Sequence, residues 1–97
     1  GKIEYSIGLD CSEKKQNIYV RTRISGDRFQ PLGMKNNQKL QDFMTNLKIP
    51  QRIRDSIPLI LCGNNIAWVV GYRISELYKT NDLTKKQLLI KISRNIK

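Results

Sequence analysis

Ile3, Tyr5, Ile7 and Leu9 alternate with Lys2, Glu4, Ser6 and Gly8, the two-residue period of a strand with one covered face. Cys11 to Asn17 is polar and charged and predicts an exposed loop. A second alternation follows, with Ile18, Val20, Thr22 and Ile24 facing one way and Tyr19, Arg21 and Arg23 the other. From Gln38 the period lengthens. Leu40, Phe43, Met44 and Leu47 take the i, i+3, i+4, i+7 positions of an amphipathic helix, with Asn36 or Asn37 as its expected N-cap. That helix is expected to stop near Lys48, because Pro50 disfavours helical geometry at Ile49. The same Pro suits the first turn of a short second helix over residues 51–55, which Ile57-Pro58 closes.

Pro58-Leu-Ile-Leu-Cys62 and Ile66-Ala-Trp-Val-Val70 flank Gly63-Asn-Asn65. The three middle residues tolerate positive φ, so this stretch predicts a hairpin of two largely buried strands. Leu88, Ile90 and Ile92 alternate with Leu89, Lys91 and Ser93 and predict a last strand. The order β-β-α-α-β-β-β favours an α+β fold over a doubly wound sheet.

With 97 residues the chain is expected to form one domain over 1–97, whose core removes roughly 60% of the unfolded surface from water. Its 18 Lys and Arg against 8 Asp and Glu give a formal net charge of +10. Such an excess repels itself unless a polyanion uses it, and it speeds encounter with nucleic acid or an anionic surface. No apolar run approaches bilayer-spanning length and no signal-like N-terminal segment is visible, which predicts a soluble, cytoplasmic protein with no membrane partner. Cys11 and Cys62 then read as reduced thiols. The chain does not begin with Met, which suggests a piece of a longer protein.

Candidate chemistry is sparse. Without His there is no Ser/His or Cys/His nucleophile pair, and two Cys without His fall short of a zinc site. No glycine-rich phosphate loop is present. Asp27, Asp42, Asp55 and Glu76 each lie close in sequence to a cation and read as partners of Arg and Lys rather than as acid/base groups. The cations cluster, and Tyr19, Arg21 and Arg23 on one strand face combine a ring with two guanidiniums, suited to phosphate and base contacts. Trp68 and Phe43 occupy apolar periodic positions and are expected in the core. Phe29 is expected to plug the loop from Arg23 to Gly33 onto that core, and so to set where Arg28 points.

Gly26-Asp-Arg-Phe-Gln-Pro-Leu-Gly33, Lys39-Leu-Gln-Asp-Phe43, Ile49-Pro-Gln-Arg-Ile-Arg-Asp-Ser-Ile-Pro-Leu-Ile60 and Trp68-Val-Val-Gly-Tyr-Arg-Ile-Ser75 resemble, in order and spacing, the C-terminal domain of bacterial tRNA(Ile)-lysidine synthetase. The likeness runs from Val20 to Lys79 and is looser in the first strand and the tail. It implies a PheT/TilS-like α+β domain with sandwich-like packing of antiparallel or mixed strands and two short helices in the middle. It also implies membership of an ATP- and Mg2+-dependent ligase that attaches lysine to the wobble cytidine of an isoleucine tRNA with a CAU anticodon. In that family the chemistry belongs to an N-terminal PP-loop domain with an SGGxDS-type motif. This chain has no Gly-Gly pair, so the resemblance implies no catalytic residue and no cofactor or metal here. The domain's implied role is to grip the tRNA acceptor stem, and its implied RNA-binding residues, in or beside the matched motifs, are Arg28, Lys35, Lys39, Arg52, Arg54, Arg73 and Lys79. Within that reading Asp27 is expected to restrain Arg28, and Asp42 and Glu76 to make structural pairs.

Two other readings compete. An interaction module docking on its own N-terminal catalytic domain, or on a second subunit as a homodimer, predicts an exposed apolar patch. A small RNA-processing enzyme would use Asp27, Asp55 or Glu76 with a divalent metal.

Overall fold

The alternating segments pair as antiparallel strands, and the computed structural model describes residues 2–10, 17–80 and 87–95. The strands are β1 (Lys2–Asp10), β2 (Ile18–Arg21), β3 (Arg28–Phe29), β4 (Gln38–Lys39), β5 (Leu59–Cys62), β6 (Asn65–Val69), β7 (Arg73–Ile74) and β8 (Gln87–Asn95). Two helices, α1 (Leu40–Asn46) and α2 (Gln51–Arg54), lie between β4 and β5, and a 3-10 turn (Glu76–Tyr78) follows β7. Most of the loop expected over 11–17, and the cations Lys85 and Lys86, lie outside the described residues.

The central sheet has the order β2-β5-β6-β7, β1 and β8 form a separate two-stranded ribbon, and β3 and β4 a third short pair. All of β5 is buried, as a continuous apolar run requires when both faces are covered. On one face Leu59, Leu61, Ile66 and Val69 meet Leu40, Phe43 and Met44 of α1, together with Phe29, Ile49 and Ile57. On the other face Ile60, Trp68 and Val70 pack with Ile90 and Ile92 of β8. A register shift explains the distribution: Ile60 pairs with Trp68 but Leu61 with Ile66. Ala67 is therefore the extra residue of a bulge, and it joins Cys62 and Tyr78 in a third cluster with Ile90. The hairpin turn forms where Gly63-Asn-Asn65 predicts it, with Gly63 at φ 59. Cys62 is fully buried.

The helix arrives where its period predicts, with a different start. Neither Asn36 nor Asn37 caps it: the N-cap is Lys39, which makes no side-chain cap bond. Gln38 and Lys39 are drawn into the ladder with β3 instead, and the Asp27 carbonyl accepts from the Leu40 N–H at 2.9 Å. At the other end Lys48 turns to φ 58 and the Ile49 N–H donates to the Met44 carbonyl at 3.0 Å. Pro50 then heads the single turn of α2. The sequence pattern foretells neither β3, β4 nor β7, each of two residues.

Candidate nucleic-acid interface

Phe29 is 2% exposed and its ring meets that of Phe43 edge-on, with centroids 5.0 Å apart. Because strand side chains alternate, burying Phe29 turns Arg28 outward. Across the ladder Arg28 stands opposite Lys39, and Phe29 opposite Gln38. Arg28 and Lys39 are both exposed, and neither has a carboxylate within ion-pair distance among the described residues. Like charges directly opposite each other in a ladder are destabilising. Arg28 donates through Nε to Asn37 Oδ1 at 2.7 Å, which steadies the guanidinium and leaves its two terminal nitrogens for a ligand.

This pair lines a cleft of about 640 Å3, walled by the 23–28 loop and residues of both helices, with Ser25, Gln41 and Gln51 among its neutral groups. Asp27 and Asp55 also line it, but both are neutralised. Asp27 takes two parallel bonds from Arg21, at 2.9 Å each, and another from the Ile24 N–H. Burial pushes the Asp27 carboxyl up, yet the Arg21 and Ile24 hydrogen bonds outweigh it and hold the group below its ordinary value. Arg21 is raised in turn, chiefly by its bond to Asp27. Asp55 accepts from Arg23 Nε at 2.7 Å. The net charge of the cleft lining is therefore positive.

The structure redistributes several expected roles. Asp27 restrains Arg21 rather than Arg28, which Asn37 holds. Arg21 and Arg23 are each committed to a carboxylate, so the strand face with Tyr19 offers no two unpaired guanidiniums. Arg54 is 5% exposed and serves the interior. Its Nε donates to the Ile49 carbonyl at 2.9 Å and its terminal nitrogen to Thr45 Oγ1 at 3.2 Å, tying α2 to the end of α1.

Arg28 and Lys39 come together as neighbours. Arg52 is exposed beside the cleft residue Gln51, and Lys35 is exposed in the loop joining β3 to β4. Arg73 and Lys79 flank the 3-10 turn, which is stitched to the loop after Phe29 by Leu32 N–H to Ile74 carbonyl and Glu76 N–H to Gln30 carbonyl bonds. Glu76 pairs with Lys79 and accepts from the Gly33 N–H at 2.9 Å. Those two donors, Lys79 first, hold its carboxyl below the ordinary range. Asp42, expected to make a structural pair, makes none among the described residues. Asn37, Gln41 and Gln51 escaped sequence reasoning as site residues, since nothing in periodicity or charge marks a neutral amide that lines a cleft, as Gln41 and Gln51 do, or that meets Arg28 across a loop, as Asn37 does.

Among the described residues no group of three His, Cys, Asp or Glu is placed to hold a metal ion, and no helix is long and apolar enough to cross a membrane. Along the edge strand β2, Ile18, Tyr19 and Val20 are exposed.

Comparison with known proteins places these features in a family. The family described as the TilS substrate C-terminal domain matches residues 18–90. The tRNA(Ile)-lysidine synthase of Clostridium acetobutylicum is 51% identical over 86 residues, covering 89% of this chain and 19% of that protein. That of Clostridium tetani is 49% identical over 92 residues, covering 95% and 20%. This chain thus spans about a fifth of the length of the curated relatives it matches. A crystal structure of a TilS C-terminal domain shares the fold, with a TM-score of 0.64 at 22% identity over 100% of this chain and 86% of that one.

Proposed function

The chain belongs to the TilS substrate C-terminal domain family, and on that premise we propose that it is the non-catalytic, tRNA-gripping domain of a cytoplasmic tRNA(Ile)-lysidine synthase. In this reading it holds the acceptor stem of an isoleucine tRNA with a CAU anticodon. The catalytic portion of the enzyme, using ATP and Mg2+, then ligates lysine to the wobble cytidine.

The observation that carries the proposal is the Arg28–Lys39 ladder pair. Two exposed cations held opposite each other without a carboxylate raise the energy of the free domain, and a polyphosphate backbone lowers it again. A-form RNA hides its major-groove base edges and presents phosphates and 2′-hydroxyls, which suits a rigid cationic ridge. Lys35, Arg52 and Arg73 extend the contact, Lys79 joins it by exchanging Glu76 for a phosphate, and Arg54 supports it from within.

The test is binding of this chain to CAU-anticodon isoleucine tRNA and to elongator methionine tRNA across a salt series. The wild type and an Arg28→Ala/Lys39→Ala double variant of unchanged circular dichroism are compared. Loss of two phosphate contacts flattens the slope of log affinity against log salt by about 1.4 to 1.8. An unchanged slope in the double variant refutes the proposal. Exposed Ile18, Tyr19 and Val20 on an edge strand favour a second reading, docking on the catalytic portion, and that reading predicts that Val20→Lys weakens the complex without touching the salt slope.

A further inference from the structure

Arg28 also borders a second cleft, of about 300 Å3, whose lining includes no residue of either helix. Apart from Arg28 and the Arg21-paired Asp27 at its edge, that cleft is neutral: Gln30, Asn37, Asn64, Asn65 and Ser75 supply its polar groups. Internal bonds fix most of these. Asn65 donates to the Tyr78 hydroxyl at 3.1 Å, Ser75 Oγ accepts from the Leu77 N–H at 3.1 Å, and Gln30 donates to the Met34 carbonyl at 3.0 Å. Asn37 spends its oxygen on Arg28.

Asn64 differs. It is exposed at the tip of the β5–β6 hairpin, held there by the bond from the Gly63 N–H to the Asn17 carbonyl at 2.9 Å. Its amide, with donor and acceptor side by side, has no partner among the described residues. Leu77, 59% exposed, adds an apolar wall to the same cleft.

We propose that this second cleft is a ribose subsite, in which Asn64 hydrogen-bonds a 2′-hydroxyl of the strand whose phosphate Arg28 holds. The inference rests on the RNA-binding reading above and deepens it. A hydroxyl both donates and accepts, which a neutral amide matches and a cation does not, and the apolar wall of Leu77 suits the C–H face of a sugar. Arg28 lines both clefts, so a phosphate on its guanidinium lies at the border of the neutral one. The 2′-hydroxyl is also the group by which a protein tells RNA from DNA.

The test measures the affinity of this chain for two stem-loops of one sequence, one of ordinary RNA and one carrying 2′-fluoro sugars, which keep the A-form and lose the hydroxyl donor. The expected result is that Asn64→Ala weakens binding to the ordinary stem about three- to tenfold, the size of one lost neutral hydrogen bond. The 2′-fluoro stem is bound equally by both proteins, and the salt slope does not change. Arg28→Ala weakens both stems and flattens the slope. If Asn64→Ala lowers affinity for both stems alike, or for neither, while Arg28→Ala still flattens the slope, the ribose subsite is wrong and the RNA-binding reading stands. If the wild type binds neither stem at low salt, that reading fails and takes the subsite with it.

Discussion

Asp27 and Arg21 meet in a parallel two-bond pair, 2.9 Å at each oxygen, which ties the turn before β3 to the edge strand β2. The depressed carboxyl of Asp27 makes the tie sensitive to acid. A carboxylate whose pKa is lower folded than unfolded contributes stability that is fully present above its unfolded value and is lost as pH falls through the folded one. Asp27→Asn is therefore expected to cost about 1–2 kcal/mol at pH 7. The gap from wild type closes as pH drops from about 5 to below the ordinary Asp value near 3.9. Urea unfolding of both proteins across this range checks it, and a gap independent of pH would sink the assignment.

Phe29 tests the link between core and ridge. Truncation to Ala empties a site that is 2% exposed and removes the edge-on contact with Phe43, so the expected loss is about 3–5 kcal/mol. Phe29→Leu is milder and serves as the working variant. Its thermal midpoint falls by roughly 4–8 °C per kcal/mol lost. Its tRNA affinity falls beyond what the unfolded fraction explains, because Arg28 loses its brace. Unaltered affinity in a folded Phe29→Leu protein would show that the ridge orients itself.

Periodicity made the long elements legible and the ridge illegible, for one physical reason. Leu40, Phe43, Met44 and Leu47 announce α1, and Leu59 to Cys62 announce a buried strand, since burial on a repeating geometry writes a repeating pattern. The two-residue ladder of Arg28 and Phe29 with Gln38 and Lys39 is too short to repeat. Its existence depends on where Phe29 finds the core, a matter of tertiary packing. Charge counting likewise brought out the cations but not their partners. Asp27 lies beside Arg28 in sequence but sits in the turn before β3, where its carboxylate meets Arg21 and the Ile24 N–H instead of its neighbour. Arg54 shows the converse limit: a residue of strongly surface-seeking type is buried because the Ile49 carbonyl and Thr45 hydroxyl at the end of α1 take its hydrogen bonds.

Arg54 consequently separates a structural role from a binding one. Arg54→Met leaves the Ile49 carbonyl buried without its donor, which costs about 1–3 kcal/mol. The midpoint of thermal unfolding should fall, while the salt slope of tRNA binding stays that of wild type for the folded fraction. A slope flattened as strongly as by Arg28→Ala, with no loss of thermal stability, would return Arg54 to the RNA contact.

Lys39→Glu puts stability and function in opposition at one position. The substitution replaces a like-charge ladder pair with Arg28 by an opposite one, worth about 0.2–1 kcal/mol in a sheet and toward the lower end here because both side chains are exposed. The variant is expected to unfold at a temperature equal to or a few degrees above wild type. Its tRNA affinity should collapse at low salt, with the slope flattened by about 1.4 to 1.8, because Lys39 no longer meets a phosphate and Arg28 is turned to the new carboxylate. A ridge with no part in RNA contact predicts the same stability with no change in binding. Measuring the midpoint and the salt series on one preparation distinguishes the two, since the midpoint shows that the variant is folded and the salt slope alone separates the readings.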